Sequence, residues 1–243
     1  MPTLLNSLVA DVLAAHGGVD TWRTFNTLAA QVVAGGLLWH IKGTEIGISP
    51  RTMVGDLRRQ LMHIEPFGGP GWRMTYTPQR IVIETPDGTL MAEQQNPRET
   101  FAGHAWTTPW NPLQLAYFNG YAMWTYYNLP FMLGEPGFEF IEIPPITQDG
   151  LPLKGLRVLF PKPIHTHCVE QCLYFDADGM LRRQDYEVDV AGKTRAAHLI
   201  SEYADIQGLK LATKRRVFLR NQDGTLQLDQ MIVSIDLSDL RLS

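Results

Sequence analysis

Residues 174–203 read YFDADGMLRRQDYEVDVAGKTRAAHLISEY, and this stretch decides the fold class of the chain. Two long stretches, 180–190 and 194–204, are joined by Ala191-Gly192-Lys193, and the first follows Asp176-Ala177-Asp178-Gly179. Gly and Asp favour tight turns, and turn signals at this spacing are typical of antiparallel strands that follow one another. The stretch therefore predicts a β-meander.

The same pattern extends in both directions from this stretch. Strands are predicted near 154–160 and 166–175 on one side, and over 209–221 and 226–242 on the other. Each is about 10 residues long, which exceeds the common strand length of about 5–6 residues. Long strands in sequence order predict a mainly β protein built on a strongly curved antiparallel sheet or open half-barrel.

The N-terminal half adds one helix and further strands. Apolar residues spaced one helical turn apart predict an amphipathic helix over 3–16, which Gly17-Gly18 would end. Strands are predicted over Thr27–Lys42, Met53–Ile64 and Gly71–Thr77, followed by a hairpin over 80–92. No linker or repeat divides the sequence, so residues 1–243 are interpreted as a single domain.

Composition limits the classes of function. Of the 243 residues, 44% are hydrophobic and 19% are charged, which is enough apolar material for a sizeable core. The formal net charge of -4 makes nucleic acid an unfavourable partner. The N-terminal residues lack the pattern of a signal peptide, and no stretch is apolar enough for a transmembrane segment. We therefore expect a cytoplasmic protein with Cys168 and Cys172 as reduced thiols.

Residues 106–131 interrupt the strand pattern with a dense group of aromatic side chains. Asn111-Pro112 is a favourable helix start, so a helix is predicted from 112 to about 127, with Asn119-Gly120 as a point where it would kink or split. Such a helix is apolar nearly all round and must be buried on most sides. It is interpreted either as a plug in the concave face of the sheet or as a lid over a ligand. The aromatic residues predicted to contact a ligand are Trp39, Trp110, Tyr117, Tyr121 and Trp124.

Several of these features resemble the LolA/LppX-type half-barrel. They are a helix that ends in His16-Gly17-Gly18, Trp22 shortly after it, the long meander and the aromatic insertion. The chain also resembles a group of uncharacterised bacterial proteins. The segments that carry this second resemblance are Thr108-Pro109-Trp110, Tyr121-Ala122-Met123-Trp124-Thr125-Tyr126, Tyr174-Phe175-Asp176, Leu181-Arg182-Arg183 and Lys214-Arg215-Arg216-Val217. The resemblance implies a fold whose best-known members carry lipids or lipoproteins in the periplasm.

Two arginines fall on strand faces that the pattern predicts to be covered. Arg59 follows Met53 and Leu57 on one predicted face, and Arg215 lies between Leu211 and Val217 on another. Each would form an internal salt bridge, extend to the rim of the sheet, or anchor the acidic group of an otherwise apolar ligand.

The histidines suggest a different chemistry. Extrapolating from the two predicted turns places His167, Tyr186 and His198 on one face of the sheet, with Tyr186 opposite His198. The opposite face, which carries Asp185 and Glu187, is predicted to face solvent. The two histidines would then be ordinary hydrogen-bonded groups or an acid–base pair, and their predicted separation does not favour a shared metal ion.

Two functions follow from the sequence. The first is binding of a hydrophobic or amphipathic, possibly anionic, small molecule in an aromatic-lined cavity, with Arg59 or Arg215 on the acidic group. The alternative is a cofactor-free hydrolase, lyase or isomerase with His167 and His198 as proton-transfer groups and Tyr186 or Arg215 stabilising charge. Neither function requires a metal or a cofactor.

Overall fold

The computed structural model describes residues 6–44 and 50–243, and in these ranges thirteen strands form one antiparallel sheet. The helices are α1 (Ser7–Ala15), α2 (Val19–Arg23), α3 (Leu38–Ile41) and α4 (Pro112–Asn128), and 3-10 turns span Pro97–Phe101, Phe131–Gly134 and Asp189–Ala191. The strands are β1 (Thr27–Gly35), β2 (Arg51–Asp56), β3 (Met62–Glu65), β4 (Arg73–Thr77), β5 (Arg80–Glu84), β6 (Leu90–Gln95), β7 (Glu139–Gln148), β8 (Leu151–Leu159), β9 (Glu170–Phe175), β10 (Leu181–Val188), β11 (Thr194–Ile206), β12 (Leu209–Arg220) and β13 (Leu226–Leu242).

The sheet is a meander whose two halves meet at β1 and β13. The strand order is β6-β5-β4-β3-β2-β1-β13-β12-β11-β10-β9-β8-β7, so β6 and β7 are the open edges. Pairing of Leu28 with Leu242 and of Val32 with Leu237 fixes the junction. The sheet does not close, and the mainly β, half-barrel prediction is confirmed.

Helix α4 lies against β2, β3, β4 and β5, and we call this side of the sheet the inner face. Asn111 caps the helix: its side chain accepts a hydrogen bond from the Gln114 N–H, and the Gln114 side chain accepts one from the Asn111 N–H. This capping box satisfies two helix-end donors at once. Fifteen of the helix residues, from Gln114 to Asn128, are buried.

The predicted split of the helix at Asn119-Gly120 is wrong, because α4 is continuous through it. Gly120 is required for another reason. A Cβ atom at this position would lie 2.2 Å from Cγ and 2.4 Å from Cβ of Tyr76 on β4. The glycine allows the helix and the sheet to approach closely.

The predicted strand over Thr27–Lys42 is wrong in its second half. Strand β1 ends at Gly35, and Gly36 has a positive φ of 106°, which side-chain-bearing residues rarely adopt. The chain then forms α3, so Trp39 enters the core from a short helix rather than from a strand face.

The predicted strand over Met53–Ile64 is two strands joined by a turn. The Asp56 carboxylate accepts hydrogen bonds from the backbone N–H groups of Arg58 (2.8 Å) and Arg59 (3.1 Å), which ends β2. Arg59 therefore lies in an exposed turn, and its placement on the covered face is wrong.

Two other differences concern the second half of the chain. Strand β7 was not predicted, and it contains Pro144-Pro145, which an edge strand tolerates because one side needs no ladder donors. Strand β9 begins at Glu170, so His165 and His167 lie in the loop before it rather than in a strand. None of the helices in the two described ranges is long and apolar enough to cross a membrane.

Candidate functional site

Helix α4 and the inner face of the sheet enclose an apolar cavity of about 40 Å³. Its aromatic wall is formed by Trp39, Trp110, Phe118, Tyr126, His167 and Tyr186, and aliphatic side chains of β1, β12 and β13 complete it. Sites for drug-sized ligands typically measure about 300–1,000 Å³. In this conformation, therefore, α4 fills most of the space beneath it.

His167 is the polar centre of this wall. Its Nε2 lies 2.7 Å from the Tyr126 hydroxyl, its Nδ1 lies 3.2 Å from the Tyr121 hydroxyl, and its ring stacks on Tyr186 at 4.0 Å between centroids. Burial, followed by the positive charge of Arg98, lowers the pKa of His167 to about 3. The imidazole is therefore neutral, and one phenol donates to it while the other accepts from it.

His198 shares the inner face with Tyr186, although the strand register differs from the predicted one. Tyr186 pairs with Ala196, and His198 pairs with Gln184, which is a shift of two residues. A two-residue shift keeps every side chain on its face. The His198 ring packs edge-on against Tyr126 at 4.6 Å, and neither ring nitrogen has a hydrogen-bond partner among the described residues. Burial, then Arg215, lowers its pKa.

Arg215 projects from β12 into the core and is only 3% exposed. Its Nη2 donates to the Tyr126 carbonyl oxygen (3.0 Å) in the last turn of α4, and the guanidinium lies 5.0 Å from the Tyr126 ring centre. Its Nε and Nη1 have no partner in the described part of the chain. Burial lowers the pKa of this side chain. Arg215 is not itself a lining residue of the cavity, and it meets the cavity wall through Tyr126.

Tyr117 and Tyr121 are fully buried, and their hydroxyl groups contact histidines instead of facing the cavity. The Tyr117 hydroxyl lies 2.9 Å from His165 Nδ1 and 3.3 Å from Arg98 Nη1, and Arg98 forms an ion pair with Asp189 at 2.9 Å. Sequence reasoning missed Arg98 because it lies in a 3-10 turn without periodicity. Its contacts position Tyr117, whose ring packs against Tyr121 at 5.2 Å.

Trp124 and Arg59 belong to a different part of the molecule. Trp124 Nε1 donates to the Asp56 carbonyl oxygen (2.7 Å), and the Arg59 side chain is 74% exposed and paired with Asp56. Both residues line a surface cleft rather than the enclosed cavity. The structure therefore divides the predicted site: Trp39, Trp110, His167 and Tyr186 line the cavity, whereas Arg59, Trp124, Tyr117, Tyr121, His198 and Arg215 do not.

Lys42 is a second residue that sequence reasoning missed. Its ammonium group is buried, donates to the carbonyl oxygens of Trp106, Ala105 and Thr108, and lies 4.6 Å from the Trp110 ring centre. Burial lowers its pKa to about 8. Lys42 thus holds the loop before α4 in place and fixes the Trp106 and Trp110 side of the cavity wall.

Metal and thiol chemistry find little support in the part of the chain that is described. There, no group of three or more His, Cys, Asp or Glu side chains could hold a metal ion. Cys168 and Cys172 are not bonded to each other, and burial raises the pKa of Cys168 to about 12, which disfavours the reactive thiolate.

Acidification is expected to destabilise the fold through His167. Because its pKa falls from 6.5 to about 3 on folding, the unfolded chain binds more protons than the folded one between these values. Stability from this group is therefore full above pH 6.5 and declines as the pH falls, by about 2 kcal/mol at pH 5. Urea unfolding at pH 7 and pH 5 measures the loss.

The matched variants for this measurement are His167→Gln and His40→Gln, since His40 is exposed. The first should reduce the difference in unfolding free energy between pH 7 and pH 5 by about 2 kcal/mol. The second should leave that difference unchanged. An unchanged pH dependence in His167→Gln would contradict the assignment of a neutral buried imidazole.

Comparisons with solved structures identify the fold. A DUF1329 family protein from Desulfovibrio piger aligns with 99% of this chain and 94% of its own, with a TM-score of 0.55 and 13% sequence identity. A LolA superfamily protein from Nitrosomonas europaea aligns with 96% of this chain and 92% of its own, with a TM-score of 0.51 and 8% identity. The chain has a LolA-like fold. No family model matches the sequence, and no curated protein matches it significantly.

The LolA-like fold accounts for the shape of the sheet and not for the chemistry inside it. At 8–13% identity the side chains differ almost everywhere, so the likeness extends to the architecture alone. The tyrosine, histidine and arginine groups beneath α4 must therefore be interpreted from their own contacts.

Proposed function

We propose that this LolA-like protein binds a hydrophobic or amphipathic small molecule between α4 and the inner face of the sheet. The observation that carries the proposal is an apolar, aromatic-walled cavity whose wall residue Tyr126 also contacts a buried guanidinium. Two donor nitrogens of that guanidinium have no hydrogen-bond partner among the described residues. The half-barrel resemblance of the sequence supports the same class of ligand.

Binding requires the cavity to grow, because about 40 Å³ holds little more than a water molecule. The side chains that must move are those of α4 that face the sheet, including Met123 and Tyr126. Both suit this role: methionine is flexible, and the Tyr126 hydroxyl can exchange its bond to His167 for one to a ligand. The closed conformation is then the ligand-free state, and the ligand selects an open one.

The buried cation of Arg215 indicates that the proposed ligand is anionic. A buried cation without a carboxylate partner costs free energy that an anionic ligand would recover. The structural role of Arg215, binding the Tyr126 carbonyl in the last turn of α4, uses only Nη2, and either Nε or Nη1 remains as a donor to a carboxylate. The ligand favoured by these contacts is an apolar molecule with one acidic group.

Dodecanoate and dodecanol test this, because they share an apolar chain and differ in charge. We expect protein refolded free of co-purified ligand to bind dodecanoate about tenfold more tightly in isothermal titration calorimetry, from charge-assisted hydrogen bonds to Arg215. Arg215→Met should remove the preference. Arg216→Met, which alters the neighbouring arginine that pairs with Asp236, should retain it. Failure of both ligands to bind, or an acid preference that survives in Arg215→Met, would refute the proposal.

Catalysis by His167 and His198 is the alternative, as a cofactor-free hydrolase, lyase or isomerase. A general base works best with a pKa near the operating pH, whereas burial lowers the pKa of both rings. These lowered pKa values favour binding over proton transfer.

A further inference from the structure

A second, larger recess lies at the C-terminal end of α4 and is open to solvent. This cleft measures about 520 Å³, which falls within the range of small-molecule sites of about 300–1,000 Å³. It is lined by α2, the turn between β2 and β3, the end of α4 and the loop before β9. None of its lining residues lines the enclosed cavity, so the two are separate.

The floor of the cleft is apolar, and its rim carries Arg58, Arg59 and Glu135. Glu135 pairs with Arg23 at 3.0 Å. Trp22, Trp124 and Met132 are buried and form part of the floor, while Arg58 and Arg59 are exposed on the turn above it. An apolar surface bordered by charge suits an amphipathic ligand, whose chain covers the floor and whose polar end remains near water.

Arg58 is the cation available to a ligand. Its guanidinium stacks over the Trp22 ring at 3.8 Å, and its Nη2 donates to the carbonyl oxygens of Trp22 (2.6 Å) and Phe25 (2.7 Å). These contacts fix its position without neutralising it. Within residues 6–44 and 50–243 it forms no ion pair, whereas Arg59 pairs with Asp56. A planar, fixed guanidinium is well suited to a carboxylate.

A buried acceptor atom on Asn128 is independent evidence for a ligand in the cleft. It lines the cleft, its side chain is fully buried, and its Nδ2 donates to the Trp124 carbonyl oxygen at 2.8 Å. Its Oδ1 is buried without a hydrogen-bond partner among the described residues. A buried unsatisfied acceptor is costly, and a ligand N–H group would satisfy it once the cleft floor rearranges to expose the atom, which is shielded from solvent in this conformation.

We infer that this cleft binds an N-acyl amino acid or a chemically equivalent amphiphile. The apolar chain packs on Trp124 and Met132, the carboxylate pairs with Arg58 where it covers Trp22, and the amide N–H donates to Asn128 Oδ1. The inference does not rest on the function proposed for the enclosed cavity, because the two sites share no lining residue.

Three probes separate these contacts. They are N-decanoylglycine, its methyl ester, which lacks the charge, and N-decanoylsarcosine, which lacks the N–H donor. In isothermal titration calorimetry we expect the ester to bind about tenfold more weakly than the acid, and the sarcosine derivative at least about fivefold more weakly. No binding of N-decanoylglycine, or equal binding of all three probes, would overturn the inference.

Variants then locate the site. Arg58→Gln should make the acid and the ester bind equally, while Arg80→Gln, which removes an exposed arginine paired with Glu93, should leave their ratio at about ten. Arg215→Met should also leave the ratio unchanged. Loss of the ratio in Arg215→Met but not in Arg58→Gln would place the ligand in the enclosed cavity and overturn the inference.

Because Arg58 also binds two backbone carbonyls, its variant requires a fold control. Circular dichroism melting establishes whether Arg58→Gln is folded at the titration temperature. If it is not, Trp124→Phe provides the second test, since it keeps an aromatic floor but reduces its area. It should weaken the acid and the ester by the same factor of at least about two, and unchanged affinity for both would overturn the inference.

Discussion

Asp185→Asn is expected to lower the free energy of unfolding by about 3–5 kcal/mol, as is typical when one partner of a buried ion pair is removed. Asp185 Oδ1 accepts from Arg183 Nε at 2.7 Å, and Oδ2 accepts from Arg183 Nη2 at 3.0 Å. The two side chains are only 7% and 6% exposed, and Arg220 lies 3.4 Å from the same carboxylate. Asparagine would keep the shape and leave two arginines without an anion.

The control for this variant lies on the same outer face of the sheet. Asp236 pairs with Arg216 at 2.7 Å, but those side chains are 49% and 26% exposed. Exposed ion pairs contribute roughly 0–1 kcal/mol, so Asp236→Asn should cost under about 1 kcal/mol. Urea unfolding of both variants measures the difference. Similar losses in the two variants would show that Asp185 is not buried as described.

A double variant separates the charge from the packing. Replacing both members of a buried pair by apolar residues is often neutral or stabilising. Arg183→Met combined with Asp185→Leu should therefore recover part of the stability lost in Asp185→Asn, because Arg183 no longer needs an anion whereas Arg220 still loses one. A double variant less stable than Asp185→Asn would indicate that the pair contributes net stability.

The burial of Asp185 also marks a limit of prediction from sequence. The acidic face of β10 was predicted to face solvent, and for Asp185 that is wrong. Two distant hairpin ends cover it: Arg183 donates to Oε1 of Gln148, the last residue of β7, and to the Gly224 carbonyl oxygen between β12 and β13. No local pattern near residue 185 contains these contacts.

Turn and helix-cap residues predicted the elements beside them correctly where the surrounding apolar pattern agreed with them. The turn residues around 176–179 and 191–193 gave the hairpins of the C-terminal meander, and Asn111-Pro112 gave the start of α4. The shared face of Tyr186 and His198 was also correct despite the wrong register, because the error was an even number of residues. The roles predicted for these residues stay predictions.

Predicting strands from the alternation of apolar and polar residues failed where a turn ended the strand while the alternation in the sequence continued. Residues 53–64 alternate throughout, yet the Asp56 side chain binds the backbone at 58 and 59 and reverses the chain. Arg59 was placed inside for this reason. Trp39 was placed on a strand, although Gly36 ends that strand. In both cases one residue with a specific backbone role overrides the periodicity around it.

Gly120→Ala is expected to destabilise the protein by about 2–3 kcal/mol, although alanine is the better helix former by about 1 kcal/mol. The added Cβ would lie 2.2 Å from Cγ and 2.4 Å from Cβ of Tyr76. A rotation of the Tyr76 ring cannot relieve the second contact, because backbone geometry fixes the Cβ atom. Helix α4 and strand β4 must therefore move apart, which loosens the packing over much of the inner face.

Ala10→Gly on the exposed side of α1 measures the helix propensity difference between alanine and glycine alone. It should lower the free energy of unfolding by about 1 kcal/mol. If propensity alone decided the outcome, Gly120→Ala would gain what Ala10→Gly loses. Thermal and urea unfolding distinguish the two cases, and a higher melting temperature for Gly120→Ala would refute the close approach.

The same variant also tests the proposed cavity. A helix displaced from β4 lowers the cost of opening, so dodecanoate should bind Gly120→Ala at least as tightly as the unaltered protein.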